Sequence, residues 1–197
     1  MSAADRSKWD AKYAAVPVAT ELAVDPWFSE VVAPLSPGRA LDVACGLGHH
    51  AIWLAERGWQ VTAVDVSPVG LTKARELADH RSVTVEWLEA DLDEFCPEAA
   101  AFDLIAVFRF LDRRHLPQRL TNALKPQGRL VYSTFCAMQS VAAGDHVRNP
   151  AFVLQSGELP ALFPQLRPEQ YSESDCGDEG YARFVGVHDQ SQAGKNA

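Results

Sequence analysis

Apolar and polar positions alternate in blocks through the middle of the chain. Each block is a short continuous apolar run that ends near a glycine, a proline or an acidic residue. Apolar residues spaced three or four apart follow it, and this is the pattern of a buried strand leading into an amphipathic helix. The blocks predict strands at 39–44, 61–64, 83–87, 102–108 and 129–135. Continuous apolar strands alternating with helices predict an α/β fold, a doubly wound parallel sheet with helices on both faces.

The predicted helices have recognisable starts and stops. After the first strand, the apolar face of 51–55 is followed by Gly58, a typical C-terminal stop. After the second strand, Ser67 can cap a helix that has Pro68 at its first position. Leucines four residues apart at 116, 120 and 124 predict the helix before the fifth strand.

The two ends of the chain add further elements. Two helical pieces, at 7–15 and 20–35, precede the sheet and could cover the crevice at the carboxyl ends of its strands. A mixed stretch at 137–165 leads to two last strands, at 167–174 and 181–188. We therefore expect one domain over 1–197, with its parts at 1–36 (helical lid), 37–135 (cofactor-binding core), 136–188 (acceptor-side segment and last strands) and 189–197 (polar tail).

Composition narrows the class of protein. The 197 residues are 47% hydrophobic and 22% charged, which is ordinary for a globular chain. The net charge of −8 argues against a nucleic-acid partner, since proteins that bind phosphate backbones are usually basic. No apolar run approaches a membrane span and the start lacks a signal-peptide pattern, so we expect a soluble, cytoplasmic protein. The four cysteines are too far apart for a metal knuckle or a redox pair, and we expect reduced thiols and no metal.

A glycine loop follows the first predicted strand. The segment from Gly46 to Ala51 fits the pattern G-x-G-x-x-A, and Asp65 lies 19 residues after Gly46. Glycines let a backbone approach a ligand closely, and an acid after the second strand can accept both hydroxyl protons of a ribose. Taken alone, the loop fits either a nicotinamide dinucleotide or S-adenosylmethionine.

Two more carboxylates favour S-adenosylmethionine. Asp42 lies inside the first apolar strand, where an unpaired carboxylate is costly to desolvate and a cationic partner would stabilise it. The ammonium of the methionine half would serve, whereas a dinucleotide pyrophosphate would be repelled. Asp91, after the third strand, could accept from an adenine amino group, with Leu92 beside it.

These landmarks together resemble the class I, seven-stranded S-adenosylmethionine-dependent methyltransferases. The landmarks are ALDVACGLGH at 40–49, VDVSP at 64–68, ADL at 90–92, FDLI at 102–105 and LKPQG at 124–128. The resemblance implies the strand order 3-2-1-4-5-7-6 with an antiparallel seventh strand. It also implies that Asp42 and the glycine loop hold the methionine part, Asp65 the ribose, and Asp91 with Leu92 the adenine.

One departure and one further likeness refine this assignment. The family commonly has glycine at the position of Ala44, so the loop is expected to be slightly displaced here. The opening KWDAKY at 8–13 is similar to a W-D-x-x-Y segment of the small tellurite-resistance and thiol-type methyltransferases, which folds over the cofactor. The cofactor-binding residues expected on all these grounds are Trp9, Tyr13, Asp42, Ala44, Cys45, Gly46, Gly48, His49, Asp65, Val66, Ser67, Asp91, Leu92 and Phe108.

Candidates for the acceptor side are fewer. Methyl transfer from a sulfonium is an in-line displacement that needs alignment, and a base only when the acceptor must lose a proton. His50 is the candidate base and Arg109, after the fourth strand, the candidate for holding an anionic acceptor. Phe110 and Arg148 are candidate acceptor-binding residues.

The sequence thus predicts an S-adenosylmethionine-dependent methyltransferase that acts on a small-molecule acceptor. Two alternatives stay open: an NAD-dependent oxidoreductase, and a non-catalytic module that binds S-adenosylmethionine and works with a protein partner. The sequence specifies neither the acceptor atom nor the oligomeric state.

Overall fold

The structure is a computed structural model that describes residues 3–17, 21–136, 154–174 and 180–189. Its elements, in chain order, are α1 (Ala3–Ala14), α2 (Pro26–Val32), β1 (Arg39–Val43), α3 (His49–Ala55), β2 (Gln60–Asp65), α4 (Pro68–His80), β3 (Glu86–Glu89), β4 (Phe102–Phe108), α5 (Leu116–Ala123), β5 (Leu124–Phe135), α6 (Glu158–Ala161), β6 (Leu166–Glu173) and β7 (Tyr181–His188). The strands form a seven-stranded sheet in the order β3-β2-β1-β4-β5-β7-β6. This confirms the predicted α/β class and strand order.

The chain divides into two compact units, Met1–Cys96 and Pro97–Ala197. In the first unit, β1 pairs with β2 and β2 with β3, all in parallel. Most apolar residues of β1, β2, α3 and α4 are buried, as expected where helices cover the sheet, whereas Trp87 and Leu88 of β3 are half-buried. The core residues of this unit include Leu41, Val43, Ile52, Leu54, Val64, Leu71 and Leu77.

Helix starts in the first unit follow the capping residues of the sequence. The Asp25 carboxylate accepts from the amide of Trp27 at 2.8 Å, with Pro26 at the first helical position of α2. Ser67 Oγ accepts from the amide of Gly70 at 3.1 Å, and Pro68 opens α4 as predicted.

In the second unit, β4 and β5 are parallel, and β7 is antiparallel to both β5 and β6. The antiparallel seventh strand is therefore confirmed. β6 lies at one end of the strand order, and its pairing with β7 shifts register between Pro168 and Gln170. Its residues Arg167 and Glu169 are exposed.

Several predicted boundaries are wrong for local reasons. The third strand begins at Glu86 because the amide of Val83 instead donates to Ala78 at the end of α4, over 3.1 Å. The second helix begins at Pro26, after the Asp25 cap, and not near residue 20. Leu124 has extended backbone and begins β5 in place of ending a helix.

Two smaller differences remain. The first helix runs from Ala3 to Ala14 and so begins earlier than expected. The stretch at 137–165, read as mixed, contains the short helix α6. Among the described residues, no helix combines the length and the apolarity that crossing a membrane requires.

Candidate functional site

The carboxyl ends of β1, β2 and β3 are joined by hydrogen bonds into one edge. The amide of Cys45 donates to the carbonyl of Val64 at 3.1 Å, and the amide of Ala90 donates to the carbonyl of Asp65 at 3.0 Å. The amide of Gly46 donates to Asp65 Oδ2 at 2.8 Å. The glycine loop and the segments carrying Asp65 and Asp91 therefore meet, as the sequence predicted from the parallel strands.

Asp42 is a buried carboxylate at the centre of this edge, only 1% exposed. Its Oδ2 accepts from the amide of Ala51 in the first turn of α3, at 3.1 Å. Burial raises the pKa of Asp42 to about 7; the Ala51 hydrogen bond opposes this and the charge of Asp65 adds to it. Because its hydrogen-bond donor is the uncharged amide of Ala51, a cationic group placed beside Asp42 would be strongly stabilised.

Asp65 organises the surrounding backbone with both of its oxygens. Oδ1 accepts from the amide of Ser67 at 2.9 Å, while Oδ2 accepts from Gly46. Burial raises its pKa, and the hydrogen bonds from Ser67 and Gly46 act in the opposite direction. Each carboxylate oxygen can accept more than one hydrogen bond, so this arrangement leaves acceptor capacity for ribose hydroxyls.

The loop after β1 has left-handed backbone at three positions. The φ angles are +56° at Ala44, +55° at Gly46 and +73° at Gly48. The conformation at Ala44 explains why glycine suits this position, because a side chain there costs about 1 kcal/mol. The loop accommodates alanine by accepting this strain.

Aromatic side chains use the space that the two glycines leave. A Cβ at Gly46 would lie 2.6 Å from the hydroxyl oxygen of Tyr13, and a Cβ at Gly48 would overlap the ring of Trp87. Tyr13 stacks on Trp9, with ring centroids 5.6 Å apart. The missing side chains of Gly46 and Gly48 therefore leave room for the rings of Tyr13 and Trp87, and Tyr13 of the predicted lid packs on the loop.

The remaining residues predicted for this site lie on the same edge. Val66 and Ser67 form the turn between β2 and α4, and both are buried. Asp91 is half-buried and its Oδ1 accepts from the amide of Asp93 at 2.9 Å, while Leu92 is buried. The turn thus presents Asp91 directly after β3.

His49 and His50 contact the segment that precedes α2. The amide of Ala23 donates to His49 Nδ1 at 3.4 Å, and the amide of Asp25 donates to His50 Nε2 at 3.3 Å. Burial lowers the pKa of His49. Because Nε2 of His50 already accepts this bond, the contact gives His50 a role in holding the segment, and its role as a base stays a prediction.

The second unit contains the predicted acceptor-side residues at the end of β4. Arg109 is exposed and has a left-handed backbone, with φ +55°. Its amide donates to the carbonyl of Ser133 at 2.8 Å, and the hydroxyl of Tyr132 donates to the carbonyl of Phe110 at 2.9 Å. The turn that carries Arg109 and the half-buried Phe108 and Phe110 is thus fixed at two points. Arg148 lies outside the described residues.

Three residues near the glycine loop were not singled out from the sequence. Asp10 of α1 accepts a hydrogen bond from Ser67 Oγ. Lys73 of α4 reaches the last turn of α1, and Trp87 packs on Gly48. Asp10 could have been predicted from the W-D-x-x-Y segment. The contacts of Lys73 and Trp87 join residues far apart in sequence, so no local sequence pattern indicates them.

Cysteine and metal chemistry contribute little to this site. Within the described ranges, no group of three or more His, Cys, Asp or Glu side chains could hold a metal ion. Cys45, Cys96 and Cys136 are free thiols, and burial raises the pKa of Cys45 well above its usual value. This raised pKa disfavours Cys45 as a nucleophile near neutral pH.

Comparison with known proteins agrees with the fold. Residues 40–128 match a family model described as a methyltransferase domain. A ubiquinone biosynthesis O-methyltransferase of Xylella fastidiosa is 37% identical over 106 residues, which are 51% of this chain and 43% of that protein. A ribosomal RNA small subunit methyltransferase C of Alcanivorax borkumensis is 34% identical over 89 residues, covering 45% of this chain and 27% of that protein. The chain thus spans less than half the length of these curated relatives.

A solved structure described under "Conversion of a Disulfide Bond into a Thioacetal Group during Echinomycin Biosynthesis" has the same fold. Its TM-score is 0.75 at 20% identity, covering 95% of this chain and 94% of that one. The family model spans β1 to the start of β5, and the strand order is the one that the sequence landmarks implied. The match of residues 40–128 to the methyltransferase domain, together with the strand order, supports a class I, seven-stranded S-adenosylmethionine-dependent methyltransferase.

Proposed function

We propose that this chain binds S-adenosylmethionine at the edge formed by β1, β2 and β3, and that it methylates a small-molecule acceptor. The buried carboxylate of Asp42 is the observation that carries the proposal. Its pKa is raised to about 7 and its hydrogen bond comes from a neutral amide, so the site favours a ligand that brings a cation. The α-ammonium of S-adenosylmethionine is such a group.

The neighbouring residues fit the rest of that cofactor. Asp65 would hold the ribose hydroxyls, and Asp91 with Leu92 would hold the adenine. Tyr13, which lies against Gly46, would cover the bound molecule from the side of α1. A dinucleotide is disfavoured because its pyrophosphate would meet the carboxylates of Asp42 and Asp65.

When bound, the cofactor would supply an electrophilic methyl group: an acceptor lone pair would form the new bond to carbon, and the electrons of the carbon–sulfur bond would stay on the sulfur of S-adenosylhomocysteine. What the protein adds is alignment and exclusion of water. In the second unit, we propose that Arg109 holds an anionic acceptor and that Phe108, which precedes it, contributes to ligand binding. The turn carrying them is fixed by Ser133 and Tyr132, so its geometry is prepared in advance.

A small-molecule acceptor is favoured by two observations. The quinone-biosynthesis relative matches over about half of this chain, and its name indicates methylation of an oxygen on a small molecule. The net charge of −8 disfavours a phosphate backbone as partner. The ribosomal RNA relative makes RNA methylation the competing outcome of the test.

Isothermal titration with S-adenosylhomocysteine and with NADH tests the cofactor. We expect binding of S-adenosylhomocysteine and none of NADH, with binding lost in Asp65→Ala. The matched control is Glu86→Ala, an exposed acid on β3, which should bind like the wild type. Binding of NADH alone would refute the proposal.

Radiolabelled methyl transfer then tests the acceptor. A panel of phenols bearing a carboxylate, small thiols and chalcogen oxyanions is compared with total ribosomal RNA. We expect transfer to a member of the small-molecule panel. Labelling of RNA alone would overturn the acceptor class while leaving the cofactor assignment intact.

A further inference from the structure

The ammonium of Lys73 reaches from α4 to the C-terminal end of α1. It donates to the carbonyl of Tyr13 at 2.7 Å, to that of Ala14 at 3.2 Å and to that of Val16. The last carbonyls of a helix have no partner within the helix, so they are ordinarily satisfied by a cap or by water. Here the cap is a side chain from another helix, 57 to 60 positions away in sequence.

The charge of Lys73 also suits this position. The C-terminal end of a helix carries a partial negative charge, and a cation placed there is stabilising, more so when it is partly buried. Lys73 is half-buried. Its hydrogen bonds to α1 therefore stabilise the position of the helix more than an exposed ion pair would.

The position of α1 depends on contacts with the rest of its unit. Of residues 5–14, whose side chains the structure describes, none is fully buried. A helix of 12 residues is marginal by itself, so contacts outside the helix must fix its position. Besides those of Lys73, these contacts include the Ser67 hydrogen bond to Asp10, the exposed ion pair of Arg6 with Glu89, and the packing of Tyr13 on Gly46 and Gly70.

What α1 brings to the site is the ring of Tyr13. The Tyr13 side chain lies against two glycines: a Cβ at Gly46 would come within 2.6 Å of its hydroxyl oxygen, and a Cβ at Gly70 within 2.8 Å of its ring. The ring therefore sits on the loop that the bound cofactor would contact. Lys73 bonds to the carbonyl of this same residue, so the position of the ring and the cap are directly linked.

We propose that Lys73 is a positioning residue that holds α1 against the glycine loop, and that it thereby sets the rate at which the cofactor product leaves. This inference rests on the proposed cofactor site in the first unit. Release of S-adenosylhomocysteine requires Tyr13 to move off the loop, and that movement breaks the bonds to Lys73.

The first test is the dissociation rate of S-adenosylhomocysteine, measured by rapid displacement with excess sinefungin. We expect Lys73→Met to raise this rate roughly tenfold, the size of a partly buried helix-end charge effect, and Lys73→Arg to restore much of it. The matched control is Lys125→Met, which removes the ion pair with Asp103 in the second unit and should leave the rate unchanged.

Hydrogen exchange of the ligand-free protein separates positioning from general stability. In Lys73→Met, amides of α1 should exchange faster while those of β1 and β2 keep wild-type protection. In the wild type, S-adenosylhomocysteine should slow exchange in α1 as well as in the glycine loop, a measurement that needs no variant.

The outcomes are distinct. An unchanged dissociation rate in Lys73→Met, or ligand protection of the loop without α1, overturns the role of Lys73 and leaves the cofactor site standing. Failure of the wild type to bind S-adenosylhomocysteine overturns the proposed function itself.

Discussion

The amide nitrogen of Gly46 lies 2.8 Å from Oδ2 of Asp65, so the acid that ends β2 holds the loop that follows β1. One carboxylate thus fixes the backbone of a neighbouring strand's loop and, through Oδ1, the first residue leading into α4. In the proposed complex the same group also meets the ribose. Cofactor binding and loop geometry are therefore expected to depend on one side chain.

The stability of the ligand-free protein should fall as pH rises from about 4 to about 7, the unfolded and folded pKa values of Asp42. Burial raises its pKa to about 7, above the value of about 4 in an unfolded chain. Between these values the folded state holds a proton that the unfolded state has lost, so the contribution of Asp42 is fully present below about pH 4 and is lost by about pH 7. Urea unfolding at several pH values measures this slope, which Asp42→Asn should remove.

Affinity for S-adenosylhomocysteine should change with pH in the opposite direction. The ligand ammonium favours the charged form of Asp42. As pH rises toward 7, affinity should therefore increase by up to about tenfold per pH unit, and above pH 7 it should stay constant. Titration calorimetry from pH 5.5 to 8 measures this. A flat profile in the wild type would show that the ammonium does not meet Asp42.

Replacing Gly46 by alanine should destabilise the fold by more than the backbone strain alone. Gly46 and Gly58 both have positive φ, but a Cβ at Gly58 would meet only Pro37, at 4.0 Å, whereas one at Gly46 meets Tyr13. Gly58→Ala therefore isolates the strain, about 1 kcal/mol, and Gly46→Ala adds the overlap. Urea unfolding should show the larger loss for Gly46→Ala.

The same substitution in a Tyr13→Ala background gives the control for that prediction. With the ring removed, the cost of Gly46→Ala should shrink toward that of Gly58→Ala. An equal cost in both backgrounds would mean that the contact between Tyr13 and the loop contributes nothing.

Arg109→Gln should weaken acceptor use without changing cofactor affinity. Loss of a charged hydrogen-bond donor costs about 1.5–3 kcal/mol, so KM for an anionic acceptor should rise roughly tenfold or more. Arg114→Gln serves as control, since its side chain is 62% exposed in the same unit. Steady-state kinetics and calorimetry together measure both effects, and an equal loss of cofactor binding would contradict the assignment.

The cysteines should differ in reactivity toward iodoacetamide at pH 8. Cys96 is exposed, Cys136 is buried, and burial raises the pKa of Cys45. Of these three described cysteines, we expect Cys96 to be alkylated first and Cys45 and Cys136 only slowly, because the thiolate is the reactive form. Peptide mapping by mass spectrometry over time measures the order, and early labelling of Cys45 would show that the loop opens readily.

Local chemistry explains which parts of the fold were predictable. Ser67 and Pro68 act as helix-start residues as predicted, and the apolar runs at β2 and β4 are strands within a residue or two. The prediction that Val83 lies in a strand was wrong because Val83 packs against the cluster of Ile52 and Leu77 without pairing in the sheet. The spacing of apolar residues in a sequence indicates which positions are buried. It does not show whether a buried residue lies in a strand or in a turn that packs against a helix.

The site shows the same division. Asp42, Gly46 and Asp65 could be proposed from the sequence because their spacing places them in or next to the ends of the first two strands. The contacts of Lys73 with α1 and of Trp87 with Gly48 join residues far apart in sequence, and no local signal marks them. The left-handed backbone of Ala44 was visible only as a departure from the family's glycine.

The end strand β6 also determines how the folded molecule meets other chains. An end strand offers unpaired backbone groups on which a foreign strand can build, and this is a common route to aggregation. Pro168 has no amide hydrogen to offer, the register shift beside it interrupts the ladder, and the exposed charges of Arg167 and Glu169 flank it. These features make β6 a poor template for strand addition by another chain.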